Sequence, residues 1–147
     1  MLDVAALLAR RGGQRVYFDT NIFIYLLGNN LRYAAQCQQL LQASADRQIL
    51  GLSGDVTLAE LLVKPLQTND AQSVAAVRQL LADDAIVTLI SHSRKSVEGA
   101  ALMRAKHGLK MVDALQLATA VEAGASCFVS NDRQFPVLPN LECVGLD

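Results

Sequence analysis

Short, continuously apolar runs alternate with longer helical stretches along most of this chain. The first run, Val16-Tyr17-Phe18, is apolar at every position, which is typical of a strand covered on both faces. Runs at 48–52, 86–90, 127–129 and 143–146 are also predicted to be strands. Because strands that alternate with helices are joined by right-handed crossovers, the pattern predicts a mostly parallel sheet with helices on both sides.

The helices between these runs are indicated by apolar spacing and by residues that begin or end helices. Apolar residues three and four positions apart run from Leu31 to Ala45, and Asn69 is a candidate N-cap for a helix over about 71–81. Gly108 separates two further predicted helices, and the second is expected to run from about residue 110 to 122 and to stop at Gly124.

The chain has the length of one compact domain, so we assign residues 1–147 to a single domain. Residues 1–14 precede the first strand and are expected to form a helical extension that ends at Arg10-Arg11. No apolar run approaches the roughly 20 residues that a membrane span requires, and the order of charges at the N-terminus is not that of a signal peptide.

Charge and cysteine content bear on nucleic-acid binding and on the expected cellular compartment. With 13 Lys and Arg against 14 Asp and Glu, charge alone does not favour tight, non-specific nucleic-acid binding. The three cysteines, Cys37, Cys127 and Cys143, lie far apart in apolar surroundings and are predicted to be buried free thiols. Free thiols are typical of a reducing compartment, so the expected location is the cytoplasm.

Four acidic residues stand where a parallel sheet would bring them to one edge. Asp19 and Asp132 follow predicted strands, and Glu60 and Asp113 are expected in the first turns of helices. These positions face the carboxyl edge of the sheet, where ligands of such folds bind. Since crowded carboxylates repel one another unless a cation neutralises them, the sequence predicts a site for Mg²⁺ or Mn²⁺, which prefer oxygen ligands.

Each acid also has a purely structural explanation. Asp19 could be an N-cap, and Thr57-Leu58-Ala59-Glu60 fits a capping box. Asp113 could complement a helix dipole, and Asp132 could close an Asx-turn. Without a common site, four separate explanations would have to hold.

Other kinds of site find little support. The only histidines, His92 and His107, have no ligand-like neighbour at helical spacing and are expected at the surface or at helix ends, which disfavours zinc. The chain contains no nucleophile elbow, phosphate-binding P-loop or dinucleotide fingerprint.

Four motifs together resemble the PIN domain, in the order and at the separations usual for that family. They are Phe18-Asp19-Thr20-Asn21, Thr57-Leu58-Ala59-Glu60-Leu61, Asp113-Ala114-Leu115-Gln116-Leu117-Ala118 and Ser130-Asn131-Asp132-Arg133-Gln134-Phe135. The similarity spans about residues 15 to 146. It implies a three-layer α/β/α sandwich with a central, mostly parallel sheet.

The resemblance also implies an activity, namely that of a single-strand-specific ribonuclease that depends on Mg²⁺ or Mn²⁺ and leaves a 5′-phosphate and a 3′-hydroxyl. The family's metal-site acids fall on Asp19, Glu60, Asp113 and Asp132, and its small polar positions on Thr20, Asn21, Ser130 and Asn131. Many bacterial members are VapC-type toxins, commonly dimeric and inhibited by a small antitoxin protein. Such toxins usually begin almost at the first strand, so residues 1–14 are a departure, and this extension could pack on the domain, build a dimer or contact RNA.

The mechanism expected from these residues is hydrolysis by a metal-activated water, with the carboxylates holding one or two ions. Thr20, Asn21, Ser130 and Asn131 would orient ligands or contact phosphate. Among the basic residues, Lys110 and Arg133 are the best candidates to guide RNA, since each lies within three residues of a proposed ligand.

Three alternative functions fit the sequence less well. A catalytically silent PIN-like module acting in RNA binding or assembly would not need all four acids. A phosphatase of the haloacid-dehalogenase kind needs a second Asp two residues after the first, where this chain has Asn21. A phosphorylated receiver domain needs an acidic pair and a late lysine, and neither is evident.

Overall fold

The computed structural model describes all 147 residues, as seven helices and five strands. The helices are α1 (Val4–Arg11), α2 (Thr20–Leu27), α3 (Ala34–Ala45), α4 (Asp55–Gln67), α5 (Ala71–Ala82), α6 (Arg94–His107) and α7 (Met111–Glu122). The strands are β1 (Arg15–Phe18), β2 (Leu50–Gly54), β3 (Thr88–Ile90), β4 (Cys127–Val129) and β5 (Glu142–Val144). None of the helices is long and apolar enough to cross a bilayer.

All five strands are parallel, in the order β3-β2-β1-β4-β5. Alternate residues of β1 serve two separate cores, as expected for a strand covered on both faces. Val16 and Phe18 join the core that α1 to α5 build, while Tyr17 joins the core of α6 and α7. The predicted three-layer α/β/α sandwich is therefore confirmed.

Several element boundaries differ from the sequence predictions. Leu31 is exposed and lies before α3, and the N-cap of α5 is Asp70, which accepts a hydrogen bond from Ser73 N, rather than Asn69. The strand predicted at 86–90 begins only at Thr88, because the amides of Ile86 and Val87 bond to Asp83 O in a turn. β2 and β5 are also shifted from the predicted runs.

The N-terminal extension folds onto the domain. Val4 and Leu7 are buried in the first core, and Leu2 N donates to Leu146 O. Arg10 and Arg11 both bond to Glu142, the first residue of β5. These contacts place both arginines at the amino edge of the sheet, away from the carboxyl edge.

The cysteine prediction holds for two of the three residues. Cys37 and Cys127 are buried free thiols, but Cys143 is exposed because β5 is an edge strand.

Candidate active site

The candidate site lies where the winding of the sheet reverses. From β1 the chain winds outward through β2 and β3, and it then returns to the other side of β1 for β4 and β5. A crevice at the carboxyl ends of β1 and β4 follows from this order. Asp19 directly follows β1, Ser130 directly follows β4, and Asp19 N donates to Val129 O at 3.0 Å.

Asp19 is buried, with 6% of its surface exposed. Its Oδ1 accepts from Thr20 N at 2.8 Å, which makes it the N-cap of α2, and its Oδ2 accepts from Ser130 Oγ at 2.6 Å. Burial raises the pKa of Asp19 to about 6; the two hydrogen bonds act against the rise, and the charges of Asp113 and Glu60 add to it. No ion pair of the molecule includes this carboxylate. Asp19 is thus a cap and also a buried carboxylate without a cationic neighbour.

Glu60 approaches Asp19 from α4. The helix begins at Asp55 with Gly54 as its N-cap, so Glu60 is in the second turn, and the predicted position in the first turn was wrong. The capping box is absent as well, because Thr57 lies inside the helix and its hydroxyl faces the interior. Glu60 is itself exposed, and its Oε1 accepts from Thr20 Oγ1 at 2.6 Å.

Asp113 and Asp132 complete the acidic edge. Asp113 is in the first turn of α7, as predicted, and is half-buried. Burial raises its pKa, the charge of Asp132 adds to the rise, and the charge of Lys110 acts against it. Asp132 Oδ1 accepts from Gln134 N at 3.0 Å in an Asx-turn, while Asp132 N donates to Ser130 Oγ at 3.0 Å. The structural roles suggested for both acids therefore coexist with their place at this edge.

The small polar residues divide into two groups. Ser130 links the loop to Asp19, and Asn21 Nδ2 donates to Ser130 Oγ at 3.2 Å. Asn131 points elsewhere, because its Oδ1 accepts from Leu146 N and its Nδ2 donates to Tyr25 OH. Of these residues, Thr20, Asn21 and Ser130 are the ones whose side chains bond within the acidic edge.

The four carboxylates do not form a closed ligand cage, since no three acidic, histidine or cysteine side chains already surround a point that could hold an ion. Instead, the charges of Asp113 and Glu60 contribute to the raised pKa of Asp19, and the charge of Asp132 contributes to the raised pKa of Asp113. Hard oxygen donors and a buried, uncompensated carboxylate fit Mg²⁺ or Mn²⁺, because Mg²⁺ is usually held by one or two carboxylates and keeps several waters. Neither histidine is among these donors: His107 ends α6, and His92 is half-buried, with both ring nitrogens bonded to Val56 N and Thr119 Oγ1.

The two basic residues singled out by position lie close to the acids along the chain and are exposed. Lys110 is the N-cap residue of α7, and its positive charge acts to lower the pKa of Asp113. Arg133 is 83% exposed, with its Nη2 at 3.4 Å from Asp147 Oδ2. Arg15, by contrast, is the first residue of β1 and so lies at the amino edge.

Sequence reasoning missed a buried polar cluster beneath the acids. It consists of Tyr17, Ser53, Thr57 and Gln116, each with 0% of its surface exposed. The available signal was Gln116, a polar residue between Leu115 and Leu117 in an almost wholly apolar helix.

The fold and this edge define an α/β protein with a carboxylate site at the switch point of a parallel sheet. A family model described as the PIN domain matches residues 16–141, most of the chain, and the protein therefore belongs to the PIN domain family. Helix α1 lies outside the matched residues.

Individual relatives agree with this assignment. Ribonuclease VapC7 of Mycobacterium tuberculosis (strain ATCC 25618 / H37Rv) is 26% identical over 134 residues, which cover 86% of this chain and 88% of the relative. A toxin-antitoxin complex from Klebsiella pneumoniae superimposes with a TM-score of 0.66 at 22% identity, over 86% of this chain and 94% of the other. VapBC2 from Rickettsia felis, bound to a fragment of its promoter DNA, gives a TM-score of 0.68 at 18% identity, over 90% and 99% of the two chains. At these identities the solved structures show that the fold is shared.

Proposed function

We propose that this protein is a Mg²⁺- or Mn²⁺-dependent endoribonuclease and the toxin of a toxin-antitoxin pair. The observation that carries the proposal is the environment of Asp19, a buried carboxylate that has other acids and neutral donors around it but no cationic side chain. Membership of the PIN domain family and similarity to a relative named as a ribonuclease support the same conclusion.

The residues of the chain divide the chemistry among them. Asp19, Glu60, Asp113 and Asp132 would hold the ion, which would supply a water of lowered pKa for in-line attack and would polarise the scissile phosphate. Thr20 and Ser130 donate to Glu60 and Asp19, and so keep these carboxylates aimed at the edge. Lys110 and Arg133 would contact phosphates of the substrate on either side.

A protein partner is the second part of the proposal. The solved structures from Klebsiella pneumoniae and Rickettsia felis that share this fold are a toxin-antitoxin complex and a VapBC2 complex. This chain has an open groove of about 340 Å³ between α2, α4 and α5 that includes Glu60. Ile24, Leu27 and Leu66 are exposed apolar residues of these helices, a pattern typical of interaction surfaces. An antitoxin segment bound there would block access to the acids.

We also infer that the protein is a homodimer and acts in the cytoplasm. Light scattering of the purified protein tests whether it is a dimer.

The direct test is RNA cleavage by purified wild-type protein and Asp19→Asn, with Mg²⁺ or Mn²⁺ and with EDTA. We expect cleavage that EDTA abolishes, and a loss of at least about 100-fold in the variant, because changes in the outer shell of a metal site already cost 10- to 100-fold. Asp84→Asn is the matched control, since Asp84 is exposed and makes no side-chain hydrogen bond. Undiminished cleavage by Asp19→Asn would refute the mechanism. RNA binding without cleavage by wild type would indicate the catalytically silent module instead.

A further inference from the structure

One buried carboxamide connects the three elements that carry Asp19, Glu60 and Asp113. Gln116 lies one turn after Asp113 on α7, and its Nε2 donates to Thr20 Oγ1 at 3.0 Å and to Thr57 Oγ1 at 2.7 Å. Thr20 is on α2 beside Asp19, and Thr57 is on α4 one turn before Glu60. The Oε1 of Gln116 accepts from Tyr17 OH.

Counting the hydroxyl protons shows where each hydrogen bond must point. Ser53 Oγ lies 2.8 Å from Phe18 O, and because a carbonyl only accepts, the single Ser53 proton goes there. The contact of 2.9 Å between Ser53 and Thr57 must therefore use the proton of Thr57. Both threonine oxygens receive a proton from Gln116. Because a carboxylate only accepts, the proton of Thr20 goes to Glu60 Oε1 at 2.6 Å, and the 3.0 Å contact between the Thr20 and Thr57 hydroxyl oxygens has no proton between them.

The opposite orientation of the Gln116 carboxamide leaves more of these contacts without a proton. With Oε1 facing the threonines, both hydroxyls would have to donate to Gln116. The contacts from Thr20 to Glu60 at 2.6 Å and from Thr57 to Ser53 at 2.9 Å would then have no proton between their oxygens. The 3.0 Å contact between the Thr20 and Thr57 hydroxyl oxygens has no proton in either orientation, so the opposite orientation leaves three oxygen–oxygen contacts without a proton and the first leaves one. Because close oxygens without a proton between them repel, the first orientation is favoured.

We propose that Gln116 is a positioning residue that directs the Thr20 hydroxyl proton onto Glu60 and thereby holds the Glu60 carboxylate at the acidic edge. The proposal rests on the proposed function, since it assumes that Glu60 takes part in binding the ion. Glu60 is exposed and would otherwise be free to rotate into solvent. The donated bond keeps its Oε1 next to Thr20, the residue that follows Asp19.

The test measures binding of Mn²⁺ alone by calorimetry or electron paramagnetic resonance, together with cleavage and urea unfolding. The variants are Gln116→Leu, Thr20→Val and the double variant, with Gln116→Met as a second replacement if the first does not fold. We expect each single variant to weaken Mn²⁺ binding and kcat by about 10-fold, in the range found for outer-shell residues. Because Gln116 acts through Thr20, the double variant should also lose about 10-fold rather than 100-fold. Thr20→Ser, which keeps the hydroxyl, should restore binding.

Tyr17→Phe is the matched control for a merely structural role. It removes the other hydrogen bond of the same carboxamide and leaves the two bonds to the threonines. We expect it to lower stability but to change Mn²⁺ affinity less than threefold. Equal losses of affinity in Tyr17→Phe and Gln116→Leu, or additive losses in the double variant, would overturn the positioning role while wild-type binding stands. A wild-type protein that binds no Mn²⁺ would overturn the proposed function and this inference with it.

Discussion

Two carboxylates at opposite ends of the same sheet have opposite surroundings. Glu142, at the amino edge, accepts bonds from Arg10 Nη2 at 3.0 Å and Arg11 Nη2 at 2.7 Å, and the hydrogen bond from Arg10 is the main reason that its pKa is lowered. Asp19, at the carboxyl edge, is more deeply buried and bonds only to neutral donors, and its pKa is raised to about 6.

This contrast shows that the protein neutralises the charge of Glu142 with its own side chains but does not neutralise the charge of Asp19. At the amino edge, helix α1 brings two arginines to one glutamate and closes the ion pair internally. At the carboxyl edge, the fold holds a buried charge next to other acids, which opposes folding. Such local destabilisation is typical of functional sites, where activity limits stability. A bound divalent cation would supply at the carboxyl edge what Arg10 and Arg11 supply at the amino edge.

The largest expected effect concerns cleavage after neutralising one acid at each edge. Glu60→Gln should lower Mg²⁺-dependent cleavage by at least about 100-fold, because it removes a proposed ligand charge. Glu142→Gln should leave cleavage within about twofold of wild type, although it should cost up to about 1 kcal/mol of stability, since the pair is partly exposed. Cleavage by the two variants is measured as initial rates at equal concentrations of folded protein. Equal losses in the two variants would erase the functional difference between the edges.

A smaller effect is expected in the stability of the metal-free protein. The rise in the pKa of Asp19 from 3.8 to about 6 corresponds to about 3 kcal/mol against its charged form at neutral pH. Asp19→Asn removes that charge and gives back part of the gain by weakening the bond from Ser130, worth about 1 to 2 kcal/mol. We therefore expect Asp19→Asn to be about 1 to 2 kcal/mol more stable than wild type in EDTA at pH 7, measured by urea unfolding.

The higher stability expected for Asp19→Asn can be checked in two ways, by lowering the pH and by adding metal. Because the folded pKa of Asp19 lies above the unfolded value, its contribution to stability is complete below pH 3.8 and is lost as pH rises through about 6. The advantage of the variant should therefore shrink towards pH 4. Saturating Mg²⁺ should stabilise wild type and leave Asp19→Asn nearly unchanged. A variant less stable than wild type at pH 7 would contradict the assignment of Asp19 as an uncompensated charge.

The sequence predicted those parts of the molecule that depend on local pattern. Uniformly apolar runs located β1 and β4, and the acids that follow these strands were placed correctly at one edge. Glu60 was assigned to the wrong turn because Thr57 looked like a cap, whereas α4 begins at Asp55, after the N-cap residue Gly54, and the Val56 amide in its first turn donates to His92 from a distant loop. The partners of Glu142 lie about 130 residues away along the chain, and Gln116 bonds to Tyr17 and Thr57, which lie 99 and 59 residues away. Local periodicity carries no information about such distant pairs.

The smallest expected effect concerns His92, which lies after β3 at the carboxyl edge like Asp19 but is satisfied within the chain like Glu142. Its Nε2 accepts from Val56 N at 3.1 Å, in place of a side-chain cap that Gly54 cannot provide, so the proton on Nδ1 goes to Thr119 Oγ1 at 2.7 Å. Burial lowers the pKa of His92 from 6.5, and the nearby charge of Asp55 acts against the change.

Protonation of His92 would break the bond from Val56 N and would place a positive charge at the N-terminus of α4, where the helix dipole opposes it. Since the folded pKa lies below the unfolded value of 6.5, stability is complete above pH 6.5 and is lost as pH falls below it. Asp19 titrates in the opposite sense over the adjoining range, so the measurement belongs in the Asp19→Asn background. There we expect a loss of less than about 1 kcal/mol between pH 7 and pH 5, because the ring is only half-buried, and a flatter profile when His92→Gln is added. An unchanged pH profile would show that the hydrogen bond from Val56 N to the neutral His92 ring does not stabilise the N-terminus of α4.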